Sequence, residues 1–444
     1  MVKRKFFGTD GVRGRVGESP MTADFTLRLA GAAARVLVPE GGSVVIGKDT
    51  RVSGYMFEAA LEAGFTAAGV DVLMLGPLPT PGVAYIARTF AADLGVMISA
   101  SHNPYFDNGI KFFDGAGEKL SDEVEMRIEG LLQAPSITRD SAELGFARRI
   151  DSARERYGEF CAGTVGGLDL SGMKIVLDCS NGAAFKVGPR VLAAMGAEVI
   201  PIGCSPNGKN INDGCGSTQP QLLQQMVVAV GADLGVALDG DGDRVLMVDH
   251  EGNIVDGDQL IYIVAMGRKR KGNLVGPVVG TVMSNLGLER KLGEHGVDFV
   301  RAQVGDRYVM SELRKQGGII GGESSGHIIC LDKATTGDGI VSALQLLQIV
   351  VESGKTLAEL AADMPIYPQV LVNVRVAERM NPEDDKQIQG AKVDVERRLG
   401  ERGRVVLRAS GTEPVIRVMV EGVDKQEVRA AAAELADVVK QAAA

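Results

Sequence analysis

Asp239-Gly240-Asp241-Gly242-Asp243-Arg244 places three carboxylates at alternate positions of a loop loosened by two glycines. Such a loop can converge three hard oxygens on one divalent cation, and carboxylates forced this close would repel one another without it. A polar turn is the plainer reading. An EF-hand is a sharper rival and fails in detail, because its sixth loop position should be Gly and is Arg244, and its twelfth should be Glu and is His250. Three carboxylates with vacant coordination positions fit Mg²⁺ completed by a phosphate oxygen. The loop follows the apolar run Leu234–Leu238, and in parallel sheets ligands collect beyond the carboxyl ends of the strands.

Ser99-Ala100-Ser101-His102-Asn103-Pro104 also follows an apolar run, Leu94–Ile98. A serine at a strand end, followed by His and a Pro-terminated turn, is presented for reaction; an ordinary polar turn is the alternative. A Ser-His hydrolase is disfavoured, since no GxSxG elbow is present and the chain has only 4 histidines. In Gly321-Gly322-Glu323-Ser324-Ser325-Gly326-His327 the glycine spacing is that of a P-loop, but His327 stands in the lysine's place. Glu323, Ser325 and His327 alternate, so in an extended segment they share one face that suits sugar hydroxyls. Arg408-Ala409-Ser410-Gly411-Thr412-Glu413-Pro414 combines a cation, two hydroxyls and glycine-freed amides, an inventory suited to a phosphate dianion. Gly8-Thr9-Asp10-Gly11-Val12-Arg13-Gly14 and Lys48-Asp49-Thr50-Arg51 add cations on turn-like segments, whereas Arg268-Lys269-Arg270-Lys271 reads as a solvated helix end.

Strand and helix patterns alternate around these segments. Strands are expected at Ser43–Gly47, Asp71–Gly76 and Leu94–Ala100, with a helix that Ser53 can cap and Gly69 ends. A helix over Asp122–Leu132 precedes a polar stretch. The pattern restarts with strands at Met173–Cys179, Glu198–Gly203 and Leu234–Leu238, and again at Pro277–Val282 and Val297–Val304. Three βαβ-type rounds predict three related α/β domains of mixed sheet. Strand-like Val370–Val376, Val405–Leu407 and Ile416–Val420, closed by an Ala-rich helix from Lys425, predict a C-terminal α+β domain.

Composition bounds the class. The 444 residues call for several domains, and 45% hydrophobic with 24% charged residues fits a globular chain. A net charge of -9 argues against general binding to nucleic acid or anionic membranes. Five scattered cysteines without a CxxC pair argue for a reducing cytoplasm over disulfides or zinc. No signal core follows the basic start, and no apolar run is long enough to span a bilayer.

Together these segments resemble the α-D-phosphohexomutase superfamily over nearly the whole chain. The resemblance implies four domains around a central cleft, expected at residues 1–152, 153–254, 255–366 and 367–444, each lending one loop. The opening Phe7–Gly14, Ile98–Pro104, Asn108–Phe113, the Ser325-Gly326-His327 ending and Arg408–Pro414 are similar to the branch acting on glucosamine phosphates. Ser324 departs from it, standing where Gln is expected. The implied reaction interconverts glucosamine 6-phosphate and glucosamine 1-phosphate on the route to UDP-N-acetylglucosamine, through phosphorylated Ser101 and a 1,6-bisphosphate. By resemblance Ser101, Asp239, Asp241 and Asp243 hold Mg²⁺, and Arg13, Lys111 and Arg244 surround the transferring phosphoryl group. Lys111 and His102 are candidates for proton transfer. Glu323, Ser325 and His327 bind the sugar, while Arg408, Ser410, Gly411 and Thr412 grip the other phosphate. Hexosamine phosphates are the expected partners, with a glucosamine or glucose 1,6-bisphosphate as activator, and a homodimer is an expectation of the family alone. The same chemistry on mannose or glucose phosphates, a non-catalytic sugar-phosphate-binding paralogue and a metal-dependent phosphatase are the alternatives.

Overall fold

The computed structural model describes residues 4–8, 10–135, 137–377, 380–410 and 414–443. Strands β1 (Val12–Arg15), β2 (Gly42–Lys48), β3 (Val70–Pro77), β4 (Leu94–Ile98), β5 (Asp107–Asp114) and β6 (Ala147–Arg149) form one sheet in the order β1-β5-β4-β2-β3-β6. Strands β7 (Lys174–Asp178), β8 (Glu198–Ile202), β9 (Leu234–Leu238), β10 (Val245–Asp249) and β11 (Ile254–Val255) form a second, β11-β10-β9-β7-β8. The third, β13-β12-β14-β15, contains β12 (Val278–Thr281), β13 (Phe299–Ala302), β14 (Ile320–Gly322) and β15 (Ile328–Cys330). An antiparallel sheet of β16 (Gln369–Arg375), β17 (Gly403–Ala409) and β18 (Val415–Gly422), ordered β16-β18-β17, completes the set.

The first three sheets repeat one plan. A central strand (β2, β7 or β12) has a parallel neighbour on each side, and one of those neighbours turns back into an antiparallel strand. That turn holds a segment singled out from the sequence every time. Residues 99–106 join β4 to β5 and include Ser101, residues 239–244 join β9 to β10, and residues 323–327 join β14 to β15. Arg408 lies near the end of β17, whose neighbour in the ladder is β18.

One apolar core runs from Val45 through Leu177, Val236 and Ile263 to Met364, so it crosses the first three sheets. The helix Gly339–Ser353 lies inside it with eleven residues buried; so extensive a burial makes it a core element. Asp338 caps that helix through the N–H groups of Ile340 and Val341 (3.0 and 2.9 Å), and the Gly339 N–H donates to the Gly242 carbonyl at 3.0 Å. A core helix is thus anchored on the three-aspartate loop. The last sheet has its own core, around Val374, Ile388, Val418 and Leu435.

Ser53 does not cap its helix as expected. Its backbone is already helical and its hydroxyl instead accepts from Asn108 Nδ2 at 2.9 Å, tying the Gly54–Ala67 helix to β5.

The junction to the last sheet is polar and buried. Asn285 clamps the backbone of Tyr367 on both sides, accepting its N–H and donating to its carbonyl, each at 3.0 Å. Arg404 of β17 donates to the carbonyls of Val282 and Ser284 at 2.8 and 2.6 Å. Beneath them Asp258 accepts the Asn285 N–H at 2.7 Å through Oδ2, while Oδ1 has no hydrogen-bond partner. Burial first, and neighbouring Asp256 second, push the Asp258 carboxyl up to about 7. The folded protein holds this proton more tightly than the unfolded chain, so ionisation erodes stability between about pH 4 and about pH 7 and the loss is complete above that. Asp258→Asn should therefore raise the Tm at pH 8, by no more than about 4 kcal/mol in stability. The gain should shrink as the pH falls toward 4. A gain independent of pH would mean that Asp258 ionises without penalty.

Candidate active site

Ser101 is buried, and its backbone adopts a left-handed conformation with φ of 52°. A non-glycine residue holds that conformation only where its surroundings over-determine it. Arg51, fully buried, supplies most of them. Its Nη2 donates to the carbonyls of Ser101 and Asn103 (2.9 and 2.8 Å), its Nη1 to those of Pro104 and Asp107, and its Nε to Asp49 (2.8 Å). Asp49 also accepts from Ser99 Oγ at 2.6 Å, and that oxygen accepts the Ser101 N–H at 3.0 Å. From the second sheet Asn212 Nδ2 donates to the same Ser101 and Asn103 carbonyls at 2.9 and 3.0 Å. With its carbonyl fixed from two sides, Ser101 turns its side chain to the metal loop, and Oγ donates to Asp239 Oδ2 at 2.6 Å. His102 Nδ1 lies 3.4 Å from the same Oγ.

Asp239, Asp241 and Asp243 each place a carboxylate oxygen within 4.8 Å of the others, and all three are buried. Gly240 makes this approach possible: a Cβ there would lie 2.6 Å from the Ser101 carbonyl oxygen. Asp241 Oδ2 accepts from Thr80 Oγ1 (2.6 Å) and Lys111 Nζ (2.7 Å), and Lys111 also meets Asp10 at 2.9 Å and Asp243 at 3.7 Å. The second oxygens, Asp241 Oδ1 and Asp243 Oδ1, are buried without a partner. Two unsatisfied hard oxygens beside a third carboxylate fit a divalent cation such as Mg²⁺.

The electrostatics follow from this crowding. Burial, then Asp243 and Asp241, raise the Asp239 carboxyl well above its ordinary value. Burial would raise Asp243 too, but Lys111, His327 and Arg244 outweigh it and hold Asp243 low. Burial would lower Lys111, yet Asp10, Asp241 and Asp243 outweigh it and keep the ammonium protonated. His102 is pushed down to about 4 by burial and then by Arg244 and Arg13.

Arg13 pairs with Asp10, and Arg244 lies 3.8 Å from Asp243 and feels the charge of Glu323. Lys119 bridges Asp10, on the first sheet's side, to Asp306, which begins the Asp306–Gln316 helix of the third. His327 sits buried between Asp243 (3.7 Å) and Asp306 (3.6 Å), with Nε2 unpartnered by any hydrogen bond. The segment 323–327 is a turn, closed by Gly326 N–H on the Glu323 carbonyl at 2.9 Å. The expected extended face therefore does not form. Ser325 is exposed, Glu323 is half-buried with Oε1 accepting the Gly305 N–H at 2.9 Å, and His327 points into the protein.

Arg408 lies directly opposite Arg417 in the β17–β18 ladder. Like charges so placed are destabilising unless an anion joins them. Burial, then Arg417, lower Arg408, and Glu323 opposes this, which brings the phosphate loop within electrostatic reach of the sugar loop. Ser410 is buried and its N–H donates to the Val415 carbonyl at 2.8 Å. Gly411 and Thr412 lie outside the described residues. Sequence reasoning missed Arg417, and the like-signed cross-strand pair could have revealed it. It missed Thr80, Asn212, Lys119 and Asp306 too, which carry no local signal.

Asp239→Asn removes the carboxylate that its two neighbours most strongly oppose. Thermal unfolding of the metal-free variant should match or exceed wild type by up to about 2 kcal/mol. Saturating Mg²⁺ should raise the Tm of wild type and leave the variant unmoved. Equal Mg²⁺ shifts in both would place the cation elsewhere.

Four family models match along the chain. They describe phosphoglucomutase/phosphomannomutase alpha/beta/alpha domains I (residues 4–138), II (161–252) and III (256–367) and the C-terminal domain (371–438). A phosphoglucosamine mutase of Alcanivorax borkumensis is 58% identical over 440 residues, covering 99% of either chain. Among solved structures, a phosphoglucomutase/phosphomannomutase family protein of Burkholderia thailandensis superposes with a TM-score of 0.82 at 24% identity, over 100% of this chain and 98% of that one. The Aspergillus fumigatus N-acetylphosphoglucosamine mutase, solved with GlcNAc-6P and magnesium, superposes with a TM-score of 0.70 at 18% identity, over 100% of this chain and 96% of that one. Those two likenesses speak for the fold. With family models on all four sheets and a full-length relative at 58% identity, the chain belongs to the phosphoglucomutase/phosphomannomutase family.

Proposed function

We propose that the protein interconverts glucosamine 6-phosphate and glucosamine 1-phosphate, with Ser101 as phosphoryl carrier and Mg²⁺ as cofactor. The observation that carries this reading is the 2.6 Å hydrogen bond from Ser101 Oγ to Asp239, made between the hairpin turns of two different sheets. A binding module has no use for a hydroxyl held against a three-carboxylate site. The full-length relative named a phosphoglucosamine mutase supports the amino sugar as substrate.

Asp239, Asp241, Asp243 and phosphorylated Ser101 would hold the Mg²⁺, which supplies charge neutralisation at the phosphoryl oxygens. The chain's own residues position the rest. Arg51 and Asn212 fix the Ser101 backbone, so its oxygen is presented without reorganisation. A substrate hydroxyl bonds to phosphorus as the bond from phosphorus to Ser101 Oγ breaks. His102, neutral and 3.4 Å from that oxygen, takes the hydroxyl proton and returns it to Oγ. Lys111 is the less suited base, because its carboxylate neighbours keep it protonated; its part is to stabilise charge beside Arg13 and Arg244.

Arg408, Ser410, Gly411 and Thr412 grip the phosphate that is not reacting, with Arg417 opposite Arg408 as a second cation. The 1,6-bisphosphate turns over in the cleft and offers its other phosphoryl group to Ser101. Glu323 and Ser325 read the 3- and 4-hydroxyls, which both orientations present alike. His327, buried against Asp243, supports the metal loop as well as the sugar turn. Boundaries near 152, 254 and 366 divide the chain into the four units, each with one sheet. The product would feed UDP-N-acetylglucosamine formation in the cytoplasm; among the described residues no helix is long and apolar enough to cross a membrane.

Steady-state kcat/KM for glucosamine, mannose and glucose phosphates, with Mg²⁺ and catalytic hexose 1,6-bisphosphate, tests the reading. Glucosamine phosphate should be preferred by at least about 10-fold, and Ser101→Ala should lose at least about 10³-fold. Equal turnover of mannose or glucose phosphate would make the protein a broader hexomutase. No isomerisation of any of the three would end the mutase reading.

A further inference from the structure

Cys179 and Cys204 lie just beyond the ends of β7 and β8, neighbouring parallel strands whose last paired residues are Asp178 and Ile202. The Cys179 N–H donates to the Ile202 carbonyl at 3.1 Å and the Cys204 thiol donates to the same carbonyl at 3.3 Å. The two cysteines thus meet at one carbonyl oxygen, from neighbouring strand ends. Cys179 is buried and Cys204 is half-buried. Neighbouring Cys179 holds the Cys204 thiol below its ordinary value, whereas burial pushes Cys161, Cys215 and Cys330 up. A reachable thiol beside a shielded one on the neighbouring strand end is the arrangement of an attacked and a resolving cysteine.

The turn that follows Cys179 is wedged between the two reactive loops. Ser180 and Asn181 both have left-handed backbones, with φ of 59° and 50°. Ser180 Oγ donates to the Leu238 carbonyl (3.0 Å), the residue before Asp239, and to Asn212 Oδ1 (3.1 Å), whose amide holds the Ser101 carbonyl. The Ala183 N–H donates to the Gly240 carbonyl at 2.8 Å, and a Cβ on Gly182 would lie 2.3 Å from that oxygen. A shift at Cys179 therefore has no slack before it reaches the metal loop and the serine loop.

We infer that Cys179 and Cys204 form a peroxide-sensitive dithiol, whose oxidation to a disulfide slows phosphoryl transfer at Ser101. Hydrogen peroxide converts the Cys204 thiolate to a sulfenic acid, with cleavage of the O–O bond and release of hydroxide. The Cys179 sulfur then attacks the sulfenic sulfur, the S–O bond breaks and water leaves. Two thiols lose two electrons and two protons, and one peroxide becomes two waters. The sulfurs must close to about 2.0 Å, a movement that the Cys179–Gly182 turn passes on through its bonds to Asn212 and Leu238. The cross-link half of this inference stands alone, and the activity half rests on the role of Ser101 given above.

The full-length protein should be exposed to hydrogen peroxide, alkylated, digested and mapped by mass spectrometry, with mutase activity followed in parallel. A peptide linked through Cys179 and Cys204 is expected, with activity down about 10-fold or more, and dithiothreitol should reverse both. Cys204→Ser, which touches none of the site residues, should start near wild-type activity and resist peroxide. Mapping of the wild-type protein decides the cross-link even if that variant fails to fold. Absence of the linked peptide, linkage without loss of activity, or equal peroxide sensitivity in Cys204→Ser would each overturn the inference.

Discussion

The site is governed by a buried charge balance. Asp10, Asp239, Asp241, Asp243 and Asp306 face Arg13, Lys111, Lys119 and Arg244; the three loop aspartates and Lys111 are buried and the others half-buried. Five carboxylates face four cations and His327; Asp239 is the least compensated, and the oxygens of Asp241 and Asp243 that lack a hydrogen-bond partner locate the deficit. An uncompensated buried charge is expensive. A divalent cation would fill the deficit, and a phosphoryl group of about −2 on Ser101 would offset that cation in turn. The two are best accommodated as a pair. Phosphoryl without cation would add repulsion to a cluster already acidic, so the chemistry of Ser101 and the affinity of the aspartates are one property.

The scaffold meets this constraint by repetition. Three sheets of one plan each send the same hairpin turn to the same place, and a single apolar core fixes three of the four turns relative to one another. Hydrogen bonds then set the fine geometry across sheets: Thr80 to Asp241, Asn212 to Ser101, Lys119 between Asp10 and Asp306. The fourth turn rides on a sheet with its own core, clamped to the third by Asn285 and Arg404. On the proposed reading, that division would suit a grip on the phosphate that is not reacting.

Much of this was legible in the sequence where chemistry and spacing coincide. The three aspartates, Ser101 and Arg408 stand out because local order alone gathers the groups that the proposed chemistry needs. Strands β2, β3, β4, β7, β8, β9, β12 and β13 fall within two residues of their apolar runs. What stayed hidden depends on contacts far along the chain. Arg51 reads as one more cation, yet it is wholly spent on the Ser101 loop. Lys119 and Asp306 are 187 residues apart and meaningless until paired. The sugar segment reads as an alternating strand, but the close-packed Gly322–His327 hairpin folds it into a turn and buries His327. The Gly339–Ser353 helix carries only a thin polar stripe, Gln345, Gln348 and Glu352, too narrow to reveal its period.

The most direct measurement is covalent. The dephosphorylated protein should be incubated with a hexose 1,6-bisphosphate, with and without Mg²⁺, and the phosphorylated residue located by peptide mass spectrometry. One phosphoryl group on Ser101, formed only with the cation and removed by excess glucosamine 6-phosphate, is the expected result. Phosphorylation at another residue, or equal loading of Ser101 in the absence of any divalent cation, would contradict the coupling of serine and aspartates.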